Sequence, residues 1–212
     1  MKKYENTIKN IKKQYDQKNL NKILSGNIDY IYSKKPTVKK KGFEESINAI
    51  VLWKINRDIK YGNNQQQKTK LLEGLKKLKN KKTKRNIIDI DDDVINILKE
   101  LLKYDGVSLP VASAIINIYS NCKYPIYDQR AYRCISALQK TPKYKKAQNI
   151  NSMKDEKQLE RYQEYVDMIN EYLGNNKLKE FKINGKRTKI NKRNIDQFLY
   201  QIDFLTGLKI EY

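Results

Sequence analysis

The stretch "LLKYDGVSLPVASAIINIYSNCKYPIYDQRAY", residues 101–132, constrains this chain's fold more than any other. A helix reaching Tyr104 must turn sharply at Asp105-Gly106, where glycine takes φ > 0 at little cost. A second helix is predicted to start near Leu109. Pro110 then falls in its first turn, where a missing N–H is no loss. Ala112, Ser113 and Ala114 are small enough for two helices to approach closely. The amides of Val111, Ala112 and Ser113 are expected to be unpaired, offering a phosphate the positive end of the helix. An ordinary helical corner would carry the same pattern.

Charge tips the reading. Lys and Arg number 45 against 24 Asp and Glu, a net charge of +21 on 212 residues. Codon bias can enrich lysine, but it does not explain why acids fail to balance it. A surplus of this size points to a polyanion, and nucleic acid is the commonest one. The chain has no histidine. That removes the usual general base, the usual metal ligand and every Ser-His or Cys-His nucleophile pair. Cys122 and Cys134 lack the paired spacing of a zinc or iron–sulfur site. With no signal-peptide pattern, an intracellular, cytoplasmic setting with reduced thiols is the simplest reading. No apolar run approaches the ~18 residues needed to cross a bilayer, so no membrane partner is expected.

The remaining pattern is helical, and strand alternation is essentially missing, which makes the class all-α. Residues 4 to about 24 read as a basic amphipathic helix, followed by a proline-broken, lysine-rich connection. "EESINAIVLWKINRDIKYG" carries Ile47, Ile50, Val51, Trp53 and Ile55 on a buried helix. A helix over about 66–78 precedes the charge run "KNKKTKRN". "IDDDVINILKELLKY" places Ile95, Leu98 and Leu102 at helical spacing. Asp91, Asp92 and Asp93 suit its N-terminus better than a magnesium site, because consecutive residues diverge there. "DEKQLERYQEYVDMINEYL" predicts a long helix ended by Gly174. "NIDQFLYQIDFLTGL" predicts the last one, with Ile195, Phe198, Leu199 and Ile202 on one side.

The residues of the opening stretch resemble the helix-hairpin-helix DNA glycosylase superfamily. "LKYDGVSLPVASAII" is similar to its hairpin, and "YPIYDQRAY" to the Pro-Val-Asp-like segment some twenty residues later. "VLWKINR" resembles a Trp-Lys-x-x-Arg helix of microbial members, and "NKRNIDQFLYQ" a terminal helix beginning Arg-x-x-Asp. The resemblance implies two helical subdomains with a DNA cleft between them. Residues 66–140 would form a helical barrel with the hairpin at about 93–120. Residues 42–65 and 141–212 would form the other lobe, leaving residues 1–41 unplaced.

On this resemblance Asp128 is the catalytic carboxylate, and Gly106, Val107, Ser108, Leu109, Pro110 and Val111 grip the backbone of double-stranded DNA. Trp53, Lys54 and Arg57, with Tyr124, Tyr127 and Arg130, are candidates to line the pocket for a flipped base. Breaking a base–sugar bond develops oxocarbenium character that an ionised aspartate can stabilise while activating water. The sequence departs from the family pattern in three places. Ser108 stands at the second hairpin glycine, Pro110 stands where strand-cutting members carry lysine, and the cysteines of an iron–sulfur cluster are missing. Pro110 in the lysine position implies a monofunctional enzyme. The missing cysteines imply one without an iron–sulfur cluster or other cofactor, save room for a monovalent cation at the hairpin; a monomer is expected. Lys54 as a Schiff-base nucleophile is the bifunctional alternative. Oxidised guanine leads slightly as substrate, alkylated purines and deaminated bases fit the same pocket, and hypermodified phage bases remain a second class. The competing readings are a non-catalytic DNA-binding hairpin module and a structured-RNA binder.

Overall fold

The computed structural model describes Ile47, Ile50 and residues 65–81, 87–139, 150, 153–175, 180–183 and 186–205. Among these, α1 spans Gln65–Asn80, α2 Asp92–Leu102, α3 Leu109–Tyr119, α4 Gln129–Leu138, α5 Asp155–Asn175 and α6 Ile195–Leu205. The described residues are mostly helical, as the periodicity predicts. One antiparallel ribbon is added between α5 and α6, formed by β1 (Glu180–Ile183) and β2 (Lys186–Lys189), with Glu180 opposite Lys189. Asn184-Gly185 between the two strands is a strong short-range hairpin signal that the helical reading passed over.

Helix boundaries follow local chemistry. The Asp91 side chain accepts the Val94 amide at 3.3 Å and caps α2, and Asp92 and Asp93 lie in its first turn. Asp91 and Asp93 also pair with Lys81, the latter at 3.0 Å. Gly174 does not end α5, which continues to Asn175. At the C-terminal end of α1, the Lys123 ammonium donates to the carbonyls of Leu78, Lys79 and Lys81 at 3.0, 2.6 and 2.6 Å. All three of its donors thereby satisfy carbonyls at the end of a helix.

The buried apolar residues, from Ile47 to Ile202, form one connected cluster. α2 buries Val94, Ile97, Leu98, Leu101 and Leu102, which leaves Ile95 off the core face. Ala112, Ser113 and Ala114 are fully buried where α3 crosses its neighbours. Ile195, Phe198, Leu199 and Ile202 line the buried side of α6 as predicted, and α6 lies against α4.

Candidate functional site

The turn between α2 and α3 follows the expected path. Gly106 takes φ +79° at the exposed apex, with the Val107 amide donating to Tyr104 O at 3.0 Å. Ser108 is extended (φ −101°, ψ 172°), so this position needs no glycine. The start of α3, however, differs from the sequence reading. The Val111 and Ala112 amides both donate to Ser108 O at 2.9 Å, and the Leu109 amide donates to Gln158 Oε1 at 2.8 Å. Pro110 has no amide hydrogen. The amides expected to await a phosphate at Val111 and Ala112 are therefore engaged within the fold. Leu109 and Val111 are fully buried, and the exposed part of the hairpin is its Asp105-Gly106 apex with Ser108 and Pro110 half-buried beside it.

Past α3, Asn121 (φ 57°) and Cys122 (φ 59°) adopt successive left-handed conformations, and the Cys122 amide donates to Asn117 O at 2.7 Å. The chain then enters residues 124–128, a segment that is neither helix nor strand. Its backbone groups must find side chains instead. Asn117 Nδ2 donates to Tyr124 O at 2.5 Å, Tyr162 Oη to Pro125 O at 2.9 Å, and Tyr165 Oη to Ile126 O at 3.3 Å. The Ile126 amide donates to Asp196 Oδ2 at 3.3 Å, and the Tyr127 amide to Ser113 Oγ at 2.9 Å. Three helices thus hold five consecutive backbone groups. Ser113 matters doubly, since its hydroxyl also donates to Pro110 O at 3.2 Å and so joins the hairpin to the residue before Asp128.

Asp128 is the N-cap of α4. Its Oδ1 accepts the Arg130 amide at 2.9 Å, and its carbonyl accepts the Tyr132 amide at 2.8 Å. The carboxylate is half-buried at the mouth of this clamped segment. Behind it, Arg130 donates to Asp203 Oδ2 at 3.2 Å. Arg133 donates through Nε to Oδ1 at 2.8 Å and through its terminal nitrogen to Oδ2 at 2.5 Å. Asp203 is fully buried, so the α4–α6 seam carries a bidentate ion pair. Tyr200, one turn before Asp203, is half-buried. Burial first, and then the Asp128 charge, hold its phenol above the usual tyrosine range.

No family model, curated protein or solved structure matches the chain. The site therefore rests on its own geometry.

Of the residues predicted for a pocket, Arg130 is half-buried beside Asp128, while Tyr124 and Tyr127 are in the core. Tyr127 packs against Tyr165 edge to face at 5.4 Å and against Tyr132 at 5.8 Å. Burial pushes the Tyr124 phenol up to about 12. These rings support the Asp128 segment from behind instead of facing an open cleft. Trp53, Lys54 and Arg57 lie outside the described residues. A groove of about 620 Å³ runs between α1 and α2, lined by Lys70, Gly74, Lys77, Ile97, Glu100 and Lys103 among others. Neither Asp128 nor any other predicted site residue lines it. Among the described residues, no cluster of three acidic or cysteine side chains gathers to hold a metal ion. No described helix is long and apolar enough to cross a membrane.

Sequence reasoning missed the residues that hold the segment before Asp128, Asn117, Tyr162, Tyr165 and Asp196, and missed Asp203 behind it. Ser113 stands out in the sequence for its size and its amide, but not for the hydroxyl that makes both contacts. Tyrosines abound in the chain, and nothing local marks which of them reach a backbone carbonyl 37 or 39 residues away.

Proposed function

We propose that the protein is a monofunctional DNA glycosylase that flips an altered base from duplex DNA and hydrolyses its N-glycosidic bond. The observation that carries this reading is the support built around one carboxylate. A segment without regular structure is held at five backbone groups by α3, α5 and α6, and it ends on half-buried Asp128. Ser113 ties that segment to the turn that the resemblance assigns to backbone gripping. Holding a catalytic group in fixed relation to an anchor is what positioning a sugar for attack requires.

In this reading the exposed hairpin apex and surrounding lysines meet the DNA backbone, and the +21 charge supplies salt-sensitive affinity. Asp128 stabilises the oxocarbenium-like sugar and accepts a proton from the attacking water, leaving an abasic site. Pro110 in place of a lysine accords with hydrolysis by water alone. A two-lobed arrangement, a monomer and a cytoplasmic setting belong to the same proposal. Oxidised guanine is the leading substrate, with hypermodified phage bases as the second class.

One observation favours a second reading, a non-catalytic DNA-binding module. Asp128 already serves as an ordinary helix cap through the Arg130 amide. The two readings separate in one assay. Labelled duplexes, each carrying one altered base, and phage DNA with modified cytosine are incubated with wild type and Asp128→Asn, with and without hot alkali. Alkali-dependent cleavage by wild type alone, with binding retained in the variant, supports the glycosylase. Equal binding without cleavage by either protein supports the module.

A further inference from the structure

Two contacts fix the alignment of α6 against the Asp128 segment. Asp196, at the start of α6, accepts the Ile126 amide at 3.3 Å. Asp203, seven residues later, accepts Arg130 at 3.2 Å and Arg133 at 2.8 and 2.5 Å. Residues i, i+4 and i+7 share one face of a helix, so Tyr200 lies on the face that carries Asp196 and Asp203. Along the helix axis Tyr200 sits about 6 Å past Asp196 and about 4.5 Å before Asp203. On the opposite strand of contacts, residue 128 lies midway between residues 126 and 130. The two alignments leave Tyr200 across from Asp128.

From this bracketing we propose that Tyr200 is a further residue of the Asp128 site, a positioning residue whose phenol donates a hydrogen bond beside the carboxylate. The inference rests on the glycosylase reading for its role, though not for its location. Tyr200 is half-buried and packs against the core, so it is not sealed away from the face that carries Asp196 and Asp203. The charged groups facing it are Asp128 and Arg130 from α4 and its cap, and Asp203 from its own helix. Burial and the Asp128 charge both oppose ionisation, and Arg130 only partly counters them, so the phenol keeps its proton at neutral pH and remains a donor. A carboxylate that must orient water gains from a fixed donor that limits its rotation.

The test has two arms on the full chain. In the first, 3-fluorotyrosine is placed at position 200 and its ¹⁹F signal is titrated, with and without Asp128→Asn. A fluorinated phenol ionises at lower pH, which keeps the titration within the folded range. Removing the Asp128 charge is expected to lower the titration midpoint. An unchanged midpoint overturns the proposal, whatever the protein's activity. In the second arm, Tyr200→Phe keeps the ring and loses the donor. Single-turnover excision is expected to fall about 10-fold, the loss of one oriented hydrogen bond, with DNA affinity unchanged. Unchanged excision, or a loss confined to affinity, overturns the positioning role. Coupling in the first arm with no excision by wild type supports the location of Tyr200 and counts against the glycosylase reading itself.

Discussion

Arg133 grips Asp203 with two hydrogen bonds, at 2.8 and 2.5 Å, between side chains that are 5% and 0% exposed. The pair locks α6 onto the helix that Asp128 caps. A buried guanidinium left without its carboxylate is costly. Asp203→Ala is therefore expected to destabilise the protein by about 3–5 kcal/mol in denaturant unfolding. Replacing both partners, as in Arg133→Met with Asp203→Leu, should recover most of that loss, because neither charge is then stranded. A double variant as unstable as Asp203→Ala would count against this account.

Ser113→Ala leaves the buried Tyr127 amide without its acceptor. A stranded donor costs about 1–3 kcal/mol. On the proposed glycosylase reading, the variant should also slow base excision while DNA binding stays intact, since the link from Pro110 to the Asp128 segment is cut. Excision at the wild-type rate, measured where the variant is fully folded, would show that the link does not aim the carboxylate.

The two hairpin positions should respond in opposite ways to exchange between glycine and a side chain. Gly106→Ala forces a Cβ onto φ +79°, which costs about 1–2 kcal/mol even though nothing lies within 4 Å of that Cβ. Ser108→Gly, which restores the glycine of the resembling family, relieves no strain at φ −101°. It adds only freedom to the unfolded chain, a loss of about 0.4–1 kcal/mol. Thermal melts of the two single variants decide the point. A gain in stability from Ser108→Gly would contradict the observed backbone.

Acid should weaken the α1–α2 junction. Burial alone would raise the Asp91 carboxyl, but Lys81 and the Val94 amide outweigh it and hold the carboxyl below its ordinary 3.8. A carboxyl depressed in the folded state contributes stability that is fully present above its unfolded value. That contribution is lost as pH falls through the folded one. The loss therefore begins near pH 4 and continues downward. Asp91→Asn should flatten this part of the stability–pH curve. Unfolding midpoints collected between pH 5 and 2 for both proteins would show it.

The parts legible in the sequence are those governed by neighbours along the chain. Gly106 and Pro110 placed the turn and the start of α3, and Asp91 marked the start of α2, because glycine, proline and capping carboxylates act within a few residues. The buried face of α6 followed from helical spacing alone. The ribbon at β1 and β2 was overlooked although Asn184-Gly185 announced it, since four-residue strands leave little alternation to read. The unpaired amides expected at Val111 and Ala112 failed because Ser108 O takes both. Their neighbour Leu109 is satisfied by Gln158, 49 residues away, which no local rule anticipates. Asp128 stood out by its setting, while its supports at Tyr162, Tyr165 and Asp196 did not, because a hydrogen bond across 37 to 70 residues leaves no periodic trace.

Segment 124–128 also bears on the order of folding. Ser113 and Asn117 anchor it from the preceding helix, but its other side-chain anchors are distant: Tyr162 and Tyr165 follow their partners by 37 and 39 residues, and Asp196 follows Ile126 by 70. The segment cannot settle until α3, α5 and α6 have all docked, and distant contacts of that kind are the slow ones. The position of Asp128 is thus among the last to form during refolding, after the helices beneath it. A refolding chain would regain its helical signal first and the placement of the Asp128 segment later.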